Sequence, residues 1–283
     1  MNKHELQWIA GVIDAEGSIE MYKQIAKRKY CRVLTRKSRI RISTTDNTII
    51  PRVASILGIT YTGVDSYRKL ISIHSRQCRE LLLKITTYLY LKQPQAIILL
   101  RAMTIKNGNN TPYSKDEADH WNELYHKIRL LNMRGKEAPI DDYQRNHKFS
   151  WPWLAGLIDG DGTVTNTKFG PQGCTLKPVI KISLTNLKTI EYLSDKLNIK
   201  SLCSGSGKGN KRKTRAIRFM SNNIYNIAPK IIPFLTLKKE RVELALEIVK
   251  LRREIPNGQY NHPNVQKVKE LLQQINKLNN TKN

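Results

Sequence analysis

The sequence lacks several features that would place it in common classes of protein. It has no apolar stretch of about 20 residues, which is the length that a membrane-spanning helix needs. Its four cysteines, Cys31, Cys78, Cys174 and Cys203, include no CxxC pair. That spacing argues against a zinc site and against a disulfide framework, and it favours a reducing compartment. The first residues resemble neither a signal peptide nor a transit segment, so we expect no targeting segment.

Acidic residues are also scarce. The 283 residues include 23 Asp and Glu against 49 Lys and Arg, which gives a formal net charge of +26 and a pI near 10.0. The basic residues run along the whole chain and do not form a tail. This distribution predicts a large polyanionic partner. Hydrophobic residues make up 40% of the chain, enough for a folded core.

The chain contains an internal repeat. IAGVIDAEG at Ile9–Gly17 recurs 145 positions later as LAGLIDGDG at Leu154–Gly162. Three further pairs follow in the same order: RISTTDN (41–47) with KISLTNL (181–187), YLYLKQPQ (88–95) with FLTLKKER (234–241), and ELYHKIRLLN (123–132) with ELLQQINKLN (270–279). We therefore predict an N-terminal unit at 1–133, a polar linker at 134–149 and a C-terminal unit at 150–283.

Each unit has the pattern of a helix, two strands, a helix, two strands and then further helices. Asn2 followed by Glu5 is typical of a capping box that opens the first helix. In the strands, polar residues alternate with Ile or Met, which predicts one apolar face and one polar, basic face. The runs 94–105 and 239–252 have helical periodicity. The predicted fold class is α+β.

The repeated motif has an unusual composition. An apolar helix with small residues ends in two acids and a glycine. Small residues allow two helix backbones to approach closely, so we expect one motif helix to pack against the other. Carboxylates at a helix C-terminus face the negative end of its dipole and call for a compensating cation. If the helices pack side by side, Glu16 and Asp161 converge, and their hard oxygen ligands would bind Mg²⁺.

The motif, its duplication and the match along the chain resemble the LAGLIDADG homing endonuclease family, in its single-chain, two-motif type. The resemblance implies two αββαββα units related by a pseudo-twofold axis. Their antiparallel sheets would form a DNA-binding saddle in the major groove, with the motif helices at the central interface. It also implies a monomer that makes a metal-dependent double-strand break with short 3′ overhangs in a long DNA target, as in intron homing.

The resemblance also implies which residues carry the chemistry. The catalytic, metal-binding acid of each motif is its second acid, Glu16 or Asp161, and the main-chain carbonyls of Ala15 and Gly160 complete the protein ligands. Two or three Mg²⁺ ions are implied, with Mn²⁺ able to substitute. Glu16 departs from the commonest pattern, which has Asp, so the rate and the metal geometry stay open. The first acids, Asp14 and Asp159, are expected to hydrogen-bond locally at the helix end.

Two further pairs of residues are implied at the site. Asp46 and Asn186 follow the second strand of each unit and are expected to position water. Lys92 and Lys238 precede a long helix, where an ammonium group would stabilise the transition state. Contact with the DNA backbone is the alternative for both lysines.

Residues on the polar strand faces are candidates for contacts with base edges in the major groove. In the first unit they are Glu20, Tyr22, Gln24, Lys37, Arg39, Arg41, Ser43 and Lys69. In the second they are Thr165, Thr167, Lys177, Lys181, Ser183 and Arg215. The alternation does not determine which face Lys69 and Arg215 occupy. Because the two sets differ at nearly every position, we expect an asymmetric target.

Two other functions remain open at this point. An RNA maturase would help its own group I intron fold, alone or alongside cleavage, and a regulator would bind DNA without cutting it. Both motif acids are present, which favours a nuclease. The absence of an N-terminal Cys or Ser nucleophile argues against an intein. Richness in Lys, Asn and Ile indicates an A·T-rich genome, such as that of a chloroplast or mitochondrion.

Overall fold

The structure, a computed structural model, describes residues 1–28, 31–65, 68–105, 113–133, 145–169, 175–200, 202–203, 214–256 and 262–280. Most of the predicted linker, 134–144, lies outside the described residues. The chain divides between Ser150 and Trp151 into two compact units. None of the described helices is long and apolar enough to cross a membrane.

The first unit has six helical segments and four strands within its described residues. In chain order they are α1 (Lys3–Glu16), β1 (Gly17–Arg28), β2 (Cys31–Thr44), α2 (Ile49–Leu57), β3 (Thr62–Asp65), β4 (Arg68–His74), α3 (Ser75–Ile85), a 3₁₀ turn (Thr86–Tyr88), α4 (Gln93–Thr104) and α5 (Lys115–Leu131). The strands pair antiparallel in the order β1-β2-β4-β3.

The second unit repeats this order. Its elements are α6 (Trp151–Asp161), β5 (Gly162–Phe169), β6 (Thr175–Leu184), α7 (Leu187–Leu197), β7 (Leu202–Cys203), β8 (Arg215–Met220), α8 (Asn222–Ile231), α9 (Lys239–Glu254) and α10 (Pro263–Asn280). The sheet is again antiparallel, in the order β5-β6-β8-β7. The predicted α+β class and its repetition are confirmed.

Local sequence explains where the motif helices begin. The side chain of Asn2 accepts a hydrogen bond from the Glu5 amide (2.9 Å), and Glu5 Oε2 accepts one from the Asn2 amide (2.7 Å). The predicted capping box is therefore confirmed. In α6, Pro152 occupies the first turn, where its missing N–H removes no helical hydrogen bond.

Each sheet has one buried and one polar face. In the first unit the buried face carries Ile19, Ile40 and Ile71, all fully buried, and alternate residues point the other way. The motif helix is buried on all sides, since every residue from Gln7 to Asp14 is buried. In the second unit the same holds from Pro152 to Asp159. Within its own unit, α1 packs against α3, β1 and β2, and α6 packs against α8, β5 and β6.

A short segment before α6 is held by the first unit, and we call Arg145–Lys148 the strap. Arg145 donates from Nε to the carbonyl of Tyr90 (2.6 Å). The side-chain amide of Gln93 accepts from the Asn146 amide (2.8 Å) and donates to the Asn146 carbonyl (2.9 Å). The strap therefore packs beside the residues that lead into α4.

Candidate functional site

The first acid of each motif is buried and bonded to the main chain. Asp14 is 1% exposed, and its carboxylate accepts from the amides of Tyr90 (2.7 Å) and Lys92 (2.8 Å). Asp159 is fully buried and accepts in the same way from the amides of Thr236 (2.8 Å) and Lys238 (3.0 Å). These acids hydrogen-bond at the helix end, as predicted, and they do so with partners that are distant in sequence. Their partners lie 76 to 79 residues further along the chain.

The lysines complete a reciprocal arrangement. Lys92 Nζ donates to the carbonyls of Ile13 (2.7 Å) and Asp14 (2.5 Å) at the end of α1. Lys238 Nζ donates to the carbonyls of Ile158 (2.7 Å), Asp159 (2.5 Å) and Gly160 (3.1 Å) at the end of α6. We call the pairs Asp14–Lys92 and Asp159–Lys238 the clamps. Each clamp joins the motif helix to the segment before the next long helix.

The clamp places a cation at the negative end of the motif helix. A buried ammonium at that position donates to carbonyls of the last helical turn, of which the Ile13 carbonyl also accepts from the Gly17 amide, and it interacts favourably with the helix dipole. The cation that the structure places at this helix end is therefore a lysine ammonium; the Mg²⁺ expected beside Glu16 and Asp161 stays a prediction. The second acid of each motif, Glu16 or Asp161, follows within two residues and is half-buried.

Close approach explains the last glycine of the motif. A Cβ on Gly17 would lie 2.7 Å from the Ile13 carbonyl oxygen and 2.9 Å from its Cα. A Cβ on Gly162 would lie 2.6 and 2.8 Å from the same atoms of Ile158. Both obstacles are backbone atoms, which cannot rotate away. The glycine lets the strand leave the helix directly after the acid.

Asn186 is the N-cap of α7, whereas Asp46 lies two residues before the N-cap of α2 and bonds to the residues that open that helix. Asp46 Oδ1 accepts from the Thr48 amide (2.7 Å) and the Thr48 hydroxyl (2.6 Å). Asn186 Oδ1 accepts from the Thr189 amide and hydroxyl, both at 3.0 Å. Both residues therefore support α2 and α7, whatever further role they have at the site.

The oxygen donors at the helix ends are of the chemical type that a hard divalent cation prefers. Each unit offers one half-buried carboxylate, Glu16 or Asp161, with the carbonyl of Ala15 or Gly160 beside it. Carboxylate and carbonyl oxygens are the ligands that Mg²⁺ prefers, and it keeps its remaining positions for water and phosphate. Among the described residues, no group of three or more His, Cys, Asp or Glu surrounds a common point. A single unit thus supplies only part of a coordination sphere.

The polar face of the first sheet collects seven of the predicted DNA contacts. Paired residues of an antiparallel ladder share a face, and the register pairs Glu20 with Arg39 and Tyr22 with Lys37. The residues on this face are Ser18, Glu20, Tyr22, Gln24, Thr35, Lys37, Arg39, Arg41, Ser43, Leu70, Ser72 and His74. The polar residues Ser18, Thr35, Ser72 and His74 were missed by the sequence reasoning.

Five of these side chains form a network across β1, β2 and β4. Arg39 donates from Nε to Glu20 Oε2 (2.8 Å), and its Nη2 lies 2.7 Å from the same oxygen. Ser18 Oγ donates to Glu20 Oε1 (2.6 Å). The Arg39 guanidinium lies 4.6 Å from the centre of the Tyr22 ring, and the Tyr22 hydroxyl is 3.3 Å from His74 Nδ1.

The network shifts two pKa values. Burial raises the pKa of Glu20, but hydrogen bonds from Ser18 and Arg39 and the charges of Arg39 and Arg41 outweigh it, so the pKa lies below its ordinary value. Burial and the charges of Arg39 and Lys37 lower the pKa of His74. Glu20 is therefore charged and His74 neutral at neutral pH.

The second sheet has a different polar face. The register pairs Thr163 with Lys181, Thr165 with Val179 and Thr167 with Lys177. It also pairs Lys181 with Arg218 and Ser183 with Ala216. Five predicted contacts, Thr165, Thr167, Lys177, Lys181 and Ser183, thus share a face with Thr163 and Arg218, which were missed. The positions of Glu20 and Arg39 are held here by Thr165 and Val179.

Lys69 and Arg215 lie on the opposite, helix-covered faces. Lys69 pairs with Thr44, and its Nζ is 3.5 Å from the Asn47 carbonyl. Arg215 pairs with Leu184 and forms an ion pair with Glu191 of α7 (2.8 Å). Their placement with the other candidates was wrong, because each precedes the first buried residue of its strand. Residues two apart in a strand share a face, so Lys69 lies on the buried face with Ile71, and Arg215 lies on the buried face with Ile217. Arg218, the neighbour of Ile217, then lies on the polar face.

Together these features define a class of protein. In each unit a buried helix ends in an acid that follows a clamp, and the sheet presents a polar face with an excess of cations. The fold is that of the LAGLIDADG homing endonucleases, which confirms the fold that the resemblance implied.

Particular proteins are similar to this chain in sequence or in fold. Over 113 residues, 39% of this chain and 68% of the relative, the sequence is 26% identical to DNA endonuclease I-CvuI of Chlorella vulgaris. I-SmaMI bound to uncleaved DNA target with calcium ions is similar over 98% of this chain and 99% of its own, with TM-score 0.68 and 17% identity. The LAGLIDADG homing endonuclease I-LtrWI bound to target DNA is similar over 96% and 98%, with TM-score 0.65 and 17% identity. No family model matches the sequence.

Proposed function

We propose that the chain is a site-specific DNA endonuclease that makes a double-strand break. The observation that carries this is the duplicated helix end, at which Glu16 and Asp161 each follow the same clamp. Two acids in equivalent surroundings suit a reaction carried out twice, once on each strand. The relatives that are endonucleases or that are bound to DNA support the same conclusion.

The reaction is an in-line displacement at a phosphodiester. Water attacks phosphorus, the bond to the 3′ oxygen breaks, and the products carry a 3′ hydroxyl and a 5′ phosphate. Glu16 and Asp161, with the carbonyls of Ala15 and Gly160, would hold Mg²⁺, which supplies Lewis-acid assistance to this displacement. The lysine of each clamp keeps the helix end, and hence the acid, in place. We propose short 3′ overhangs as the outcome.

The target would be a long duplex with two unlike halves. The sheets would lie in the major groove, where phosphate contacts supply affinity and base-edge contacts supply specificity. The polar faces of the two sheets carry different side chains at equivalent positions, so the two half-sites would differ in sequence. Intron homing would make the joined sequences that flank the gene the natural target.

The catalytic acids can be tested by isosteric substitution. Glu16→Gln or Asp161→Asn removes one charge without changing shape, so we expect double-strand cleavage of the joined flanking sequence to fall at least a hundredfold, about the effect of losing one catalytic group. Binding measured by gel shift should persist. Asp195→Asn, an exposed acid on α7, serves as the control. Undiminished cleavage by both variants would remove these acids from the mechanism.

Metal dependence is tested by chelation. EDTA should stop cleavage by the unaltered protein, and added Mg²⁺ or Mn²⁺ should restore it, because carboxylate and carbonyl oxygens bind these ions. Cleavage is measured on supercoiled plasmid carrying the joined flanking sequence. Cutting that continues in EDTA would contradict the proposed donor set.

A further inference from the structure

The network on the polar face of the first sheet has a more specific use than general attraction to DNA. We propose that Arg39 reads a single guanine in the target and that Glu20 positions Arg39 instead of contacting DNA. This inference rests on the proposed function, since it assumes that the polar face meets a duplex. It assigns different roles to two residues that sequence alone treats as equivalent contacts.

The guanidinium of Arg39 has two edges that can donate a pair of parallel hydrogen bonds. The edge formed by Nε and Nη2 is directed at Glu20 Oε2, at 2.8 and 2.7 Å. The edge formed by Nη1 and Nη2 keeps three N–H donors, and Nη1 has no protein partner within the part of the chain that the structure describes. A planar pair of donors of this kind matches O6 and N7 of guanine in the major groove.

The plane of the guanidinium is fixed before any ligand arrives. Its carbon lies 4.6 Å from the centre of the Tyr22 ring, close enough for a cation–π contact. Tyr22 is in turn 3.3 Å from His74 Nδ1 through its hydroxyl. The Arg39 side chain remains 25% exposed, so its end is reachable from the polar face. Fixing a long side chain in advance lowers the entropy lost on binding.

Glu20 is poorly placed to accept a hydrogen bond from a base. Its Oε2 faces Arg39, and its Oε1 accepts from Ser18 Oγ at 2.6 Å. Both oxygens of this carboxylate are engaged, and a carboxylate would be repelled by the anionic duplex. Glu20 is therefore better suited to holding Arg39 in position than to contacting DNA. In the second unit Thr165 and Val179 hold these positions, so the guanine would be read in one half-site only.

The test uses a library of duplexes with a randomised core, selected by binding to the full chain in EDTA. The unaltered protein should enrich duplexes with guanine at one position that Arg39→Ala no longer selects. Discrimination at that position should fall about tenfold to a hundredfold, as expected for one bidentate arginine–guanine pair. Arg39→Lys should not restore it, because an ammonium keeps the charge but lacks the fork. Arg76→Ala, which removes a 90% exposed arginine on α3, is the control for lost charge.

A double-mutant cycle separates positioning by Glu20 from contact by Glu20. Glu20→Ala should reduce discrimination at the same position several-fold, and it should have no further effect once Arg39 is Ala. An independent loss in the Arg39→Ala background would overturn the positioning role. If Arg39→Ala lowered the affinity for all duplexes by the same factor, or if Arg39→Lys restored the discrimination, Arg39 would be a phosphate contact and the inference would be overturned. Failure of the unaltered protein to enrich any duplex would overturn the proposed function, and with it this inference.

Discussion

At the scale of single residues, the clamps show how a buried charge can be tolerated. Lys92 and Lys238 are 9% and 7% exposed, and an isolated ammonium at that depth would be expensive. Each ammonium donates to carbonyls at the end of the motif helix. The backbone amide of the same lysine donates to an aspartate of that helix, Asp14 or Asp159. Charge, dipole and hydrogen bonds all act in the same direction at these two points.

Removing one of these ammonium groups should weaken the fold. In Lys238→Met the carbonyls of Ile158 and Asp159 lose their donor while they stay buried, so the free energy of unfolding should fall by about 2–3 kcal/mol. Urea denaturation followed by circular dichroism measures it. Lys239→Met, at the next residue and exposed, should stay close to the original stability. Equal stability of the two variants would mean that the clamp does not support the helix.

At the scale of elements, the motif helix and the strand that follows it are packed too closely at their junction to accept a side chain. Gly17 and Gly162 each sit against the backbone of the residue four positions earlier. An added methyl group must push the strand away from the helix. Because the acid directly precedes the glycine, any shift of the strand also moves the acid.

Gly162→Ala should therefore reduce both stability and cleavage. The added Cβ would lie 2.6 Å from the Ile158 carbonyl oxygen, and overpacking of this kind costs about 1–3 kcal/mol. Thermal unfolding and plasmid cleavage provide the two measurements. Asn226→Ala, at an exposed position on α8 away from the polar sheet face, should leave both nearly unchanged. If Gly162→Ala unfolds at the original temperature, the close approach does not constrain the junction.

The elements also show what sequence could and could not predict. The repeat and the alternation of Ile19, Ile40 and Ile42 with polar residues predicted the order of elements and the polar faces of the first two strands. The clamps were not predictable as such, because Asp14 and Lys92 are 78 residues apart and only folding brings them together. Lys69 and Arg215 were misplaced because a strand's first residues have no buried neighbour before them to set the alternation.

At the scale of the whole molecule, the charge of +26 should govern binding. A chain that neutralises several phosphates releases counterions, so affinity for its target should fall about 10³- to 10⁵-fold between about 50 and 200 mM salt. Fluorescence anisotropy with a labelled duplex measures this slope. An affinity that hardly changes with salt would show that phosphate contacts contribute little.

The strap bears on where the chain could be divided into two separately encoded halves. Arg145 and Asn146 follow the polar stretch between the repeats, yet their hydrogen bonds go to Tyr90 and Gln93 of the first unit. A gene for the first half that stopped at Met133 would leave the Gln93 amide without two of its bonds. A gene for the second half could begin at Trp151 and lose none of them. Dividing the chain into separate halves at Trp151 would therefore preserve these hydrogen bonds, whereas dividing it after Met133 would break them.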